Sequence, residues 1–224
     1  RDSVASRGLG DVYKRQHGRR IAVAPADAAT ALEPDLSGDL TLYLALILTL
    51  APTDVLLGEK DYELLLAIHH AVQDFHLGVR VQGVPAVRMP DGVVMSLRNT
   101  HVPAESREQA AALSAALTAG AHAAEAGAQK VREVAAEVLR AAGVEPEYLE
   151  VRGRDLGAPP VEGDARLLVA ATIGGVRLID NVGLPLGIGF NNIEEHEAKA
   201  ELEREQQREQ QRAQDAASQQ LSED

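Results

Sequence analysis

The feature that most constrains the fold is a strand–helix–strand order between residues 54 and 84. The apolar segment Asp54–Leu57 is typical of a buried strand, and Val79–Val84, ended by Pro85, predicts a second one. Between them, Asp61–His76 has the periodicity of a helix. Its apolar face consists of Leu65, Ile68, Val72 and Phe75. Strands that alternate with a helix through short loops pair in parallel, so the segment predicts an α/β fold with a parallel sheet.

Two further elements are predicted upstream of this unit. Residues Leu40–Leu50 are apolar on all sides, which favours a helix buried between layers, and Pro52 ends it. Residues Ile21–Ala24 predict another short strand.

Beyond Asn99 the pattern predicts two Ala-rich helices. Pro103 and Glu105 open the first, because proline lacks only an N–H that has no partner in the first helical turn. Its apolar stripe is Leu113, Leu117 and Ala121. Gly127 separates it from the second helix, which Gly143 ends at the C′ position. The apolar stripe of the second helix is Val131, Val134, Val138 and Ala142.

Three strands are predicted to follow, at Tyr148–Val151, Leu167–Thr172 and Val176–Val182. The pair Gly174–Gly175 joins the last two as a hairpin. Helices followed by an antiparallel sheet are typical of a small α+β domain. We therefore place a domain boundary near Val87, which divides the chain into residues 17–86 and 87–189.

The two ends of the chain differ in composition from its middle. Residues 1–16, which begin without methionine, resemble translated adapter sequence and are excluded from the prediction of the fold. Residues 190–224 form a tail rich in Glu and Gln that we expect to be a solvated helix or disordered. Residues 194–224 carry ten acidic and four basic side chains, which is half of the chain's net charge of −12.

Composition excludes several classes of function. An acidic chain with six Phe and Tyr and no Trp is unsuited to gripping nucleic acid. The apolar run from Leu42 to Leu57 is interrupted by Pro52 and Asp54, so we expect no membrane span. Without cysteine the chain has no disulfide, thiolate metal site or cysteine nucleophile.

The motif GEKD at Gly58–Asp61 lies where a buried strand ends and a helix begins. Backbone N–H groups at a helix N-terminus attract anions, and Lys60 adds a charge suited to a phosphate. In open parallel sheets, ligands bind beyond the carboxyl ends of the strands. The spacing alone leaves open an alternative, in which Asp61 only caps the helix and Lys60 only faces solvent.

A second motif, MSLRN at Met95–Asn99, places a serine and an arginine where both could reach a polyphosphate. Taken alone, it is better explained as a polar turn between domains. His69, His70 and His76 share one predicted helix but lack an acidic partner at metal-ligand spacing, so we predict no metal site there. Residues Gly183–Gly189 predict a loop, without a helix behind it that would make it a phosphate loop.

Together these motifs resemble the pantoate–β-alanine ligase (pantothenate synthetase) family. The resemblance is collinear over residues 38–181 and runs along LLGEKDYELL, VQGVPAVRMPDGVVMSLRN, the two Ala-rich helices, PEYLEVR and ARLLVAATIGGVRLIDN. It implies a nucleotidyltransferase-type, partial Rossmann-like sheet in residues 17–86, followed by an α+β domain in residues 87–189. The implied reaction adenylates pantoate with Mg-ATP and then joins it to β-alanine, in coenzyme A biosynthesis.

The resemblance also implies residue roles. Lys60, Ser96 and Arg98 would act in catalysis. ATP would contact Gly58, Glu59, Lys60, Asp61, Val87, Met95, Ser96, Leu97 and Arg98. The family's HIGH motif and Mg²⁺ ligands would lie upstream of these residues, so we expect a C-terminal fragment that is inactive by itself. A cytoplasmic homodimer with small-molecule substrates, without nucleic acid or membrane partners, is implied as well.

Two departures from the family pattern affect the substrate site. Leu64 stands where the family has a pantoate-binding glutamine, and Leu97 replaces a serine of the MSSR motif. An alkyl group cannot replace the hydrogen bonds of an amide or a hydroxyl. The alternatives are therefore a non-catalytic paralogue that keeps the scaffold and binds nucleotide, or a related enzyme that adenylates a more apolar acid.

Overall fold

The computed structural model describes residues 22–26, 31–34 and 36–188. The predicted segments 1–16 and 190–224 lie outside these residues, as does Ile21. The strand predicted at Ile21–Ala24 is wrong for residues 22–24, which are in no strand. The reason is that the Val23 N–H donates to Thr41 Oγ1 at 2.8 Å and the Val23 carbonyl accepts from the same hydroxyl at 3.3 Å, so a helix side chain satisfies them.

The predicted strand–helix–strand unit is confirmed. Helix α1 (Leu36–Leu50) precedes the unit, which consists of strand β1 (Asp54–Gly58), helix α2 (Tyr62–Asp74) and strand β2 (Arg80–Val84). A 3₁₀ turn at Glu59–Asp61 joins β1 to α2. Strands β1 and β2 pair in parallel, with Asp54 opposite Arg80 and Gly58 opposite Val84.

Helices α1 and α2 share an apolar core. It is formed by Leu36, Leu40, Leu44 and Ile47 of α1 with Ala67, Ile68, Ala71 and Val72 of α2. Burial of α1 on all sides was wrongly predicted, because Leu48 and Leu50 are 65% and 66% exposed on the side that α2 does not cover. Phe75 was also wrongly placed on the buried face: α2 ends at Asp74, and Phe75 is 56% exposed. No helix in the described part of the chain has the length and apolarity that crossing a membrane requires.

The second half is the predicted helical pair and antiparallel sheet. It consists of α3 (Arg107–His122), α4 (Gly127–Ala141), β3 (Tyr148–Gly153), β4 (Gly163–Ile173) and β5 (Val176–Leu186). Short 3₁₀ turns lie at Leu97–His101, Ala104–Ser106 and Ala124–Ala126. The strand order is β3-β4-β5, and both pairs are antiparallel. The domain boundary near Val87 stays a prediction.

Most of the turns predicted for this half from glycine positions are confirmed. The hairpin at Gly174 and Gly175 is confirmed, with φ of +57° and +78°, and Gly143 follows α4 with φ of +67°. The loop predicted from Gly183 is wrong as far as Leu186, since these residues extend β5. Their partners on β4 are residues 163–166, which the sequence did not predict as strand. The fully buried stripe of α4 is Val131, Ala135 and Leu139, whereas Val134 and Val138 are half-buried.

Candidate functional site

One pocket brings together the three residues predicted to act in catalysis. Lys60 from the turn after β1, and Ser96 and Arg98 from the segment before α3, line it together with Asn99 and Asp180. Lys60 and Ser96 are 36 positions apart in the sequence, and the two motifs meet against β5. Two basic side chains and a hydroxyl, which are groups that bind phosphates, therefore lie at a pocket whose other lining residues are mostly apolar.

The first motif forms a tight turn with its lysine turned inward. The Lys60 side chain is 13% exposed, and its Nζ lies 3.0 Å from Asp61 Oδ1. Asp61 precedes α2 but makes no capping hydrogen bond through its side chain. The alternative in which Asp61 only caps the helix and Lys60 only faces solvent is therefore wrong. Nothing lies within 4 Å of a Cβ placed on Gly58, so the backbone is open at this point.

Two side chains of the second half hold this turn. Asn181 Nδ2 donates to the carbonyl oxygens of Glu59 at 3.0 Å and of Lys60 at 2.8 Å. Arg166 Nη2 donates to Glu59 Oε2 at 3.3 Å, and its guanidinium lies 3.7 Å from the centre of the Tyr62 ring. The Glu59 carboxylate and the Glu59 carbonyl thus both have partners in the protein, and contact of Glu59 with ATP stays a prediction.

The second motif forms a 3₁₀ turn that is capped by its own serine. Ser96 Oγ accepts from the Arg98 N–H at 3.2 Å, and Asn99 Nδ2 donates to the Val94 carbonyl at 2.7 Å. The Arg98 guanidinium makes a long hydrogen bond of 3.5 Å to the Arg177 carbonyl. A neutral, long contact leaves most of the charge of Arg98 to be satisfied by an anion.

The remaining predicted ATP contacts lie beside this turn. The Met95 N–H donates to the Val87 carbonyl at 2.8 Å, so these two residues are adjacent. Val87, Met95 and Leu97 are 61%, 60% and 75% exposed, and their contact with ATP stays a prediction.

An ion pair that sequence reasoning missed holds this segment in place. Arg88 Nη1 and Nη2 donate to Asp180 Oδ2 and Oδ1 at 2.7 and 3.0 Å, in a two-bond fork. The same guanidinium donates to Ser114 Oγ at 3.1 Å. The signal that could have found the pair is Asp180 itself, since an acid inside the apolar strand LIDNV requires a buried partner.

The family model for pantoate-beta-alanine ligase matches residues 32–183. The chain belongs to this family. The pantothenate synthetase of Corynebacterium jeikeium is 45% identical over 200 residues, which cover 87% of this chain and 65% of that protein. The enzyme of Saccharopolyspora erythraea is 47% identical over 177 residues, or 75% of this chain and 58% of that protein. The chain thus spans 65% and 58% of the length of these two relatives, and 55% of the pantothenate synthetase of Nocardia farcinica.

Solved structures of the family have the same fold. Pantothenate synthetase from Thermus thermophilus superposes with a TM-score of 0.68 at 32% identity, over 78% of this chain and 67% of that one. Pantoate-beta-alanine ligase from Francisella tularensis, solved with beta-gamma ATP and beta-alanine, gives 0.55 at 26% identity, over 72% and 57%. The predicted family and fold class are confirmed.

Leu64, which the resemblance places at the pantoate-binding position, lies apart from the pocket. It is half-buried on α2 and packs against the apolar core that α1 and α2 share. It is not among the pocket-lining residues. The leucine therefore serves the core of this family member and offers no polar group to a substrate.

The Mg²⁺ ligands that the family resemblance implies were expected upstream of the two motifs. Within residues 22–26, 31–34 and 36–188, no three His, Asp or Glu side chains lie together in a metal-binding arrangement. His69, His70 and His76 are all exposed, and the rings of the first two meet edge to face at 6.4 Å.

Proposed function

We propose that this chain carries the nucleotide-phosphate side of an AMP-forming pantoate–β-alanine ligase. The observation that carries the proposal is that Lys60, Ser96 and Arg98 line one pocket. Membership of the family supports it, as does the nucleotide complex of the Francisella tularensis relative. The activity is that of a longer protein, since this chain spans 55 to 65% of its relatives.

In the proposed first step, a carboxylate oxygen of pantoate attacks the α-phosphorus of ATP and pyrophosphate leaves. In the second, the amine of β-alanine attacks the acyl carbon of the adenylate, loses a proton, and AMP leaves. The substrates supply both nucleophiles, so the protein needs no covalent residue. Its contribution is positioning and neutralising the charge on the phosphates.

Lys60 and Arg98 have different partners before a phosphate binds. Lys60 is paired with Asp61, whose side chain is 51% exposed, so the carboxylate can turn to solvent when a phosphate replaces it. The Arg98 guanidinium donates only to a carbonyl oxygen and has no ion pair in the described residues. Ser96 accepts the Arg98 N–H and keeps its own hydroxyl proton for a phosphate oxygen.

The test is AMP formation that requires both pantoate and β-alanine. It is measured on the chain alone, where we expect none, and on the chain fused behind the remaining part of the Corynebacterium jeikeium relative, where we expect turnover. In the fusion, K60A and R98A should each lower kcat/KM by about a hundredfold, the scale of losing a phosphate-neutralising group. K130A and R140A remove matched charges from exposed ion pairs on α4 and should have no such effect. A fusion that folds without making AMP contradicts the proposal.

A second candidate rests on Leu64 and Leu97. The first packs in the core and the second is 75% exposed, so neither supplies the polar contact of the family's pattern. The chain would then belong to a non-catalytic paralogue, or to an enzyme for a more apolar acid. Two measurements separate the paralogue from the altered enzyme. Calorimetry that shows ATP binding without a response to pantoate favours the paralogue. AMP formation with an apolar acid favours the enzyme with an altered substrate.

We also propose that the homodimer and the cytoplasmic location implied by the family resemblance apply to the whole protein. Analytical ultracentrifugation of the fusion tests the first, since a monomer at all concentrations would contradict it.

A further inference from the structure

Two adjacent residues of β5 each hold one of the two segments that meet at the pocket. Asp180 and Asn181 are 4% and 7% exposed. Asn181 donates to the Glu59 and Lys60 carbonyls, and so fixes the turn that carries Lys60. Asp180 accepts the two-bond fork of Arg88. One dipeptide thereby contacts both halves of the pocket.

The Asp180 contact reaches the second motif through a short hairpin. Arg88 follows Val87 and pairs with Val94 across an isolated bridge, just before Met95. Its Nη1 also donates to the Gly92 carbonyl at 3.2 Å, which closes the hairpin around the guanidinium. Fixing Arg88 therefore fixes the segment that leads into Ser96 and Arg98.

The side chain of Asn181 is itself oriented. Arg166 Nη1 donates to Asn181 Oδ1, so the amide nitrogen is the group turned toward the turn. Asp180 Oδ1 accepts the Asn181 N–H at 2.8 Å, which links the two residues directly. Buried side chains with all polar atoms paired hold a single geometry, because any rotation leaves a buried group without a partner.

We propose that Asp180 and Asn181 are positioning residues that set the spacing of Lys60 and Arg98 for the phosphates of the nucleotide. The proposal rests on the proposed function for the identity of the ligand. It does not rest on it for the placement of the two segments. β5 is an edge strand of the three-stranded sheet, and a paired strand suits this role because it is more rigid than the two loops that it joins.

The test uses two substitutions that keep side-chain volume. N181D keeps the acceptor for Arg166 and removes both hydrogen bonds to the turn. D180N removes the charge that Arg88 requires. E137Q, on the exposed face of α4, is the control. Hydrogen–deuterium exchange is measured on the chain as it stands, and ATP affinity by calorimetry on the chain and on the fusion.

We expect N181D to speed exchange of the amides in residues 59–62 and D180N to speed it in residues 87–95. Neither should change exchange in residues 167–171 of β4. ATP affinity should fall about tenfold in each, which is the scale of losing one or two buried hydrogen bonds, and stay unchanged in E137Q. Uniformly faster exchange across β4 and β5, or an ATP affinity equal to that of E137Q, would overturn the proposal. If the unsubstituted fusion binds no ATP, the proposed function fails, while the two exchange patterns still decide whether the segments are held.

Discussion

The Glu33 carboxylate accepts hydrogen bonds from the Arg177 guanidinium at 2.7 and 3.4 Å, although 144 positions separate the two residues. The Tyr148 hydroxyl donates to the same carboxylate at 2.8 Å. Burial, and next the charge of Glu33, raise the pKa of Tyr148 well above its usual value, so the hydroxyl stays a donor. Since the Arg177 carbonyl also accepts from Arg98, this contact ties the segment before α1 to the strand beside the pocket.

Replacing Glu33 should therefore destabilise the fold. We expect E33Q to lower the free energy of unfolding by about 1 kcal/mol, because Arg177 and Tyr148 lose a charged acceptor while Arg177 keeps Glu147. Urea denaturation at neutral pH measures this. Y148F removes one donor and should cost less than E33Q, and equal midpoints for E33Q and the unsubstituted chain would show that the contact contributes nothing.

Glu147 should make stability depend on pH in the acid range. Hydrogen bonds from Thr172 Oγ1, at 2.7 Å, and from Arg177 Nε, at 2.6 Å, hold the pKa of Glu147 below its usual 4.5. A lowered pKa in the folded state stabilises above the unfolded-state value, and this stabilisation is lost as the pH falls through the folded-state pKa.

E147Q lacks this titration. Its deficit in unfolding free energy should be present at pH 7 and shrink below the unfolded-state value of 4.5. Since the Glu147 side chain is 40% exposed, the deficit should be under about 1 kcal/mol. T172V, which removes the largest cause of the lowered pKa, should show a smaller change of the same sign. If the deficit in unfolding free energy of E147Q were the same at pH 7 as below pH 4.5, the lowered pKa would not belong to Glu147.

Elements governed by local chemistry could be predicted from the sequence. The β1–α2–β2 unit follows from alternation and periodicity, and the turns at Gly143, Gly174 and Gly175 follow from the left-handed backbone that glycine allows. These signals lie within a few residues of the structure that they determine.

Features that depend on distant partners could not be predicted in this way. Asp180 and Asn181 hold residues more than 90 positions away, and nothing near them in the sequence names those partners. The family pattern predicted a substrate contact for Leu64, but the burial of this side chain depends on how α1 packs on α2. Phe75 fits the helical period, yet the helix ends one residue earlier.

The hairpin glycines offer a matched pair of substitutions. Both have a positive φ, but a Cβ on Gly174 would lie 2.5 Å from Pro103 Cδ and 2.9 Å from Ser106 Oγ, whereas nothing lies within 4 Å at Gly175. G175A should cost about 1 to 2 kcal/mol through backbone strain alone. G174A should cost about 2 to 4 kcal/mol, because overpacking adds to the strain. Thermal unfolding of both variants checks the order, and equal costs would contradict the contact with Pro103.

Two leucines of α1 test the exposed face of that helix. Leu48 is 65% exposed and Leu40 is 2% exposed. L48Q should change the unfolding free energy by less than about 0.5 kcal/mol and lower the binding of a hydrophobic dye, since it removes apolar surface from solvent. L40Q should cost about 2 to 4 kcal/mol, because it creates a cavity and buries an amide. A large loss of stability in L48Q would show that this face is covered in solution.

Restoring the two family residues should have opposite consequences at positions 97 and 64. Leu97 is exposed beside Arg98, so L97S should change stability by less than about 0.5 kcal/mol. In the proposed ligase its hydroxyl adds a donor for a phosphate, and ATP affinity in the fusion should rise about fivefold, which is the scale of one hydrogen bond. L64Q places an amide against the apolar core and should cost about 1 to 2 kcal/mol. A calorimetric response to pantoate in L64Q would show that residue 64 belongs to a pantoate site from which the polar side chain has been lost. An unchanged ATP affinity in L97S would show that residue 97 does not face the phosphates.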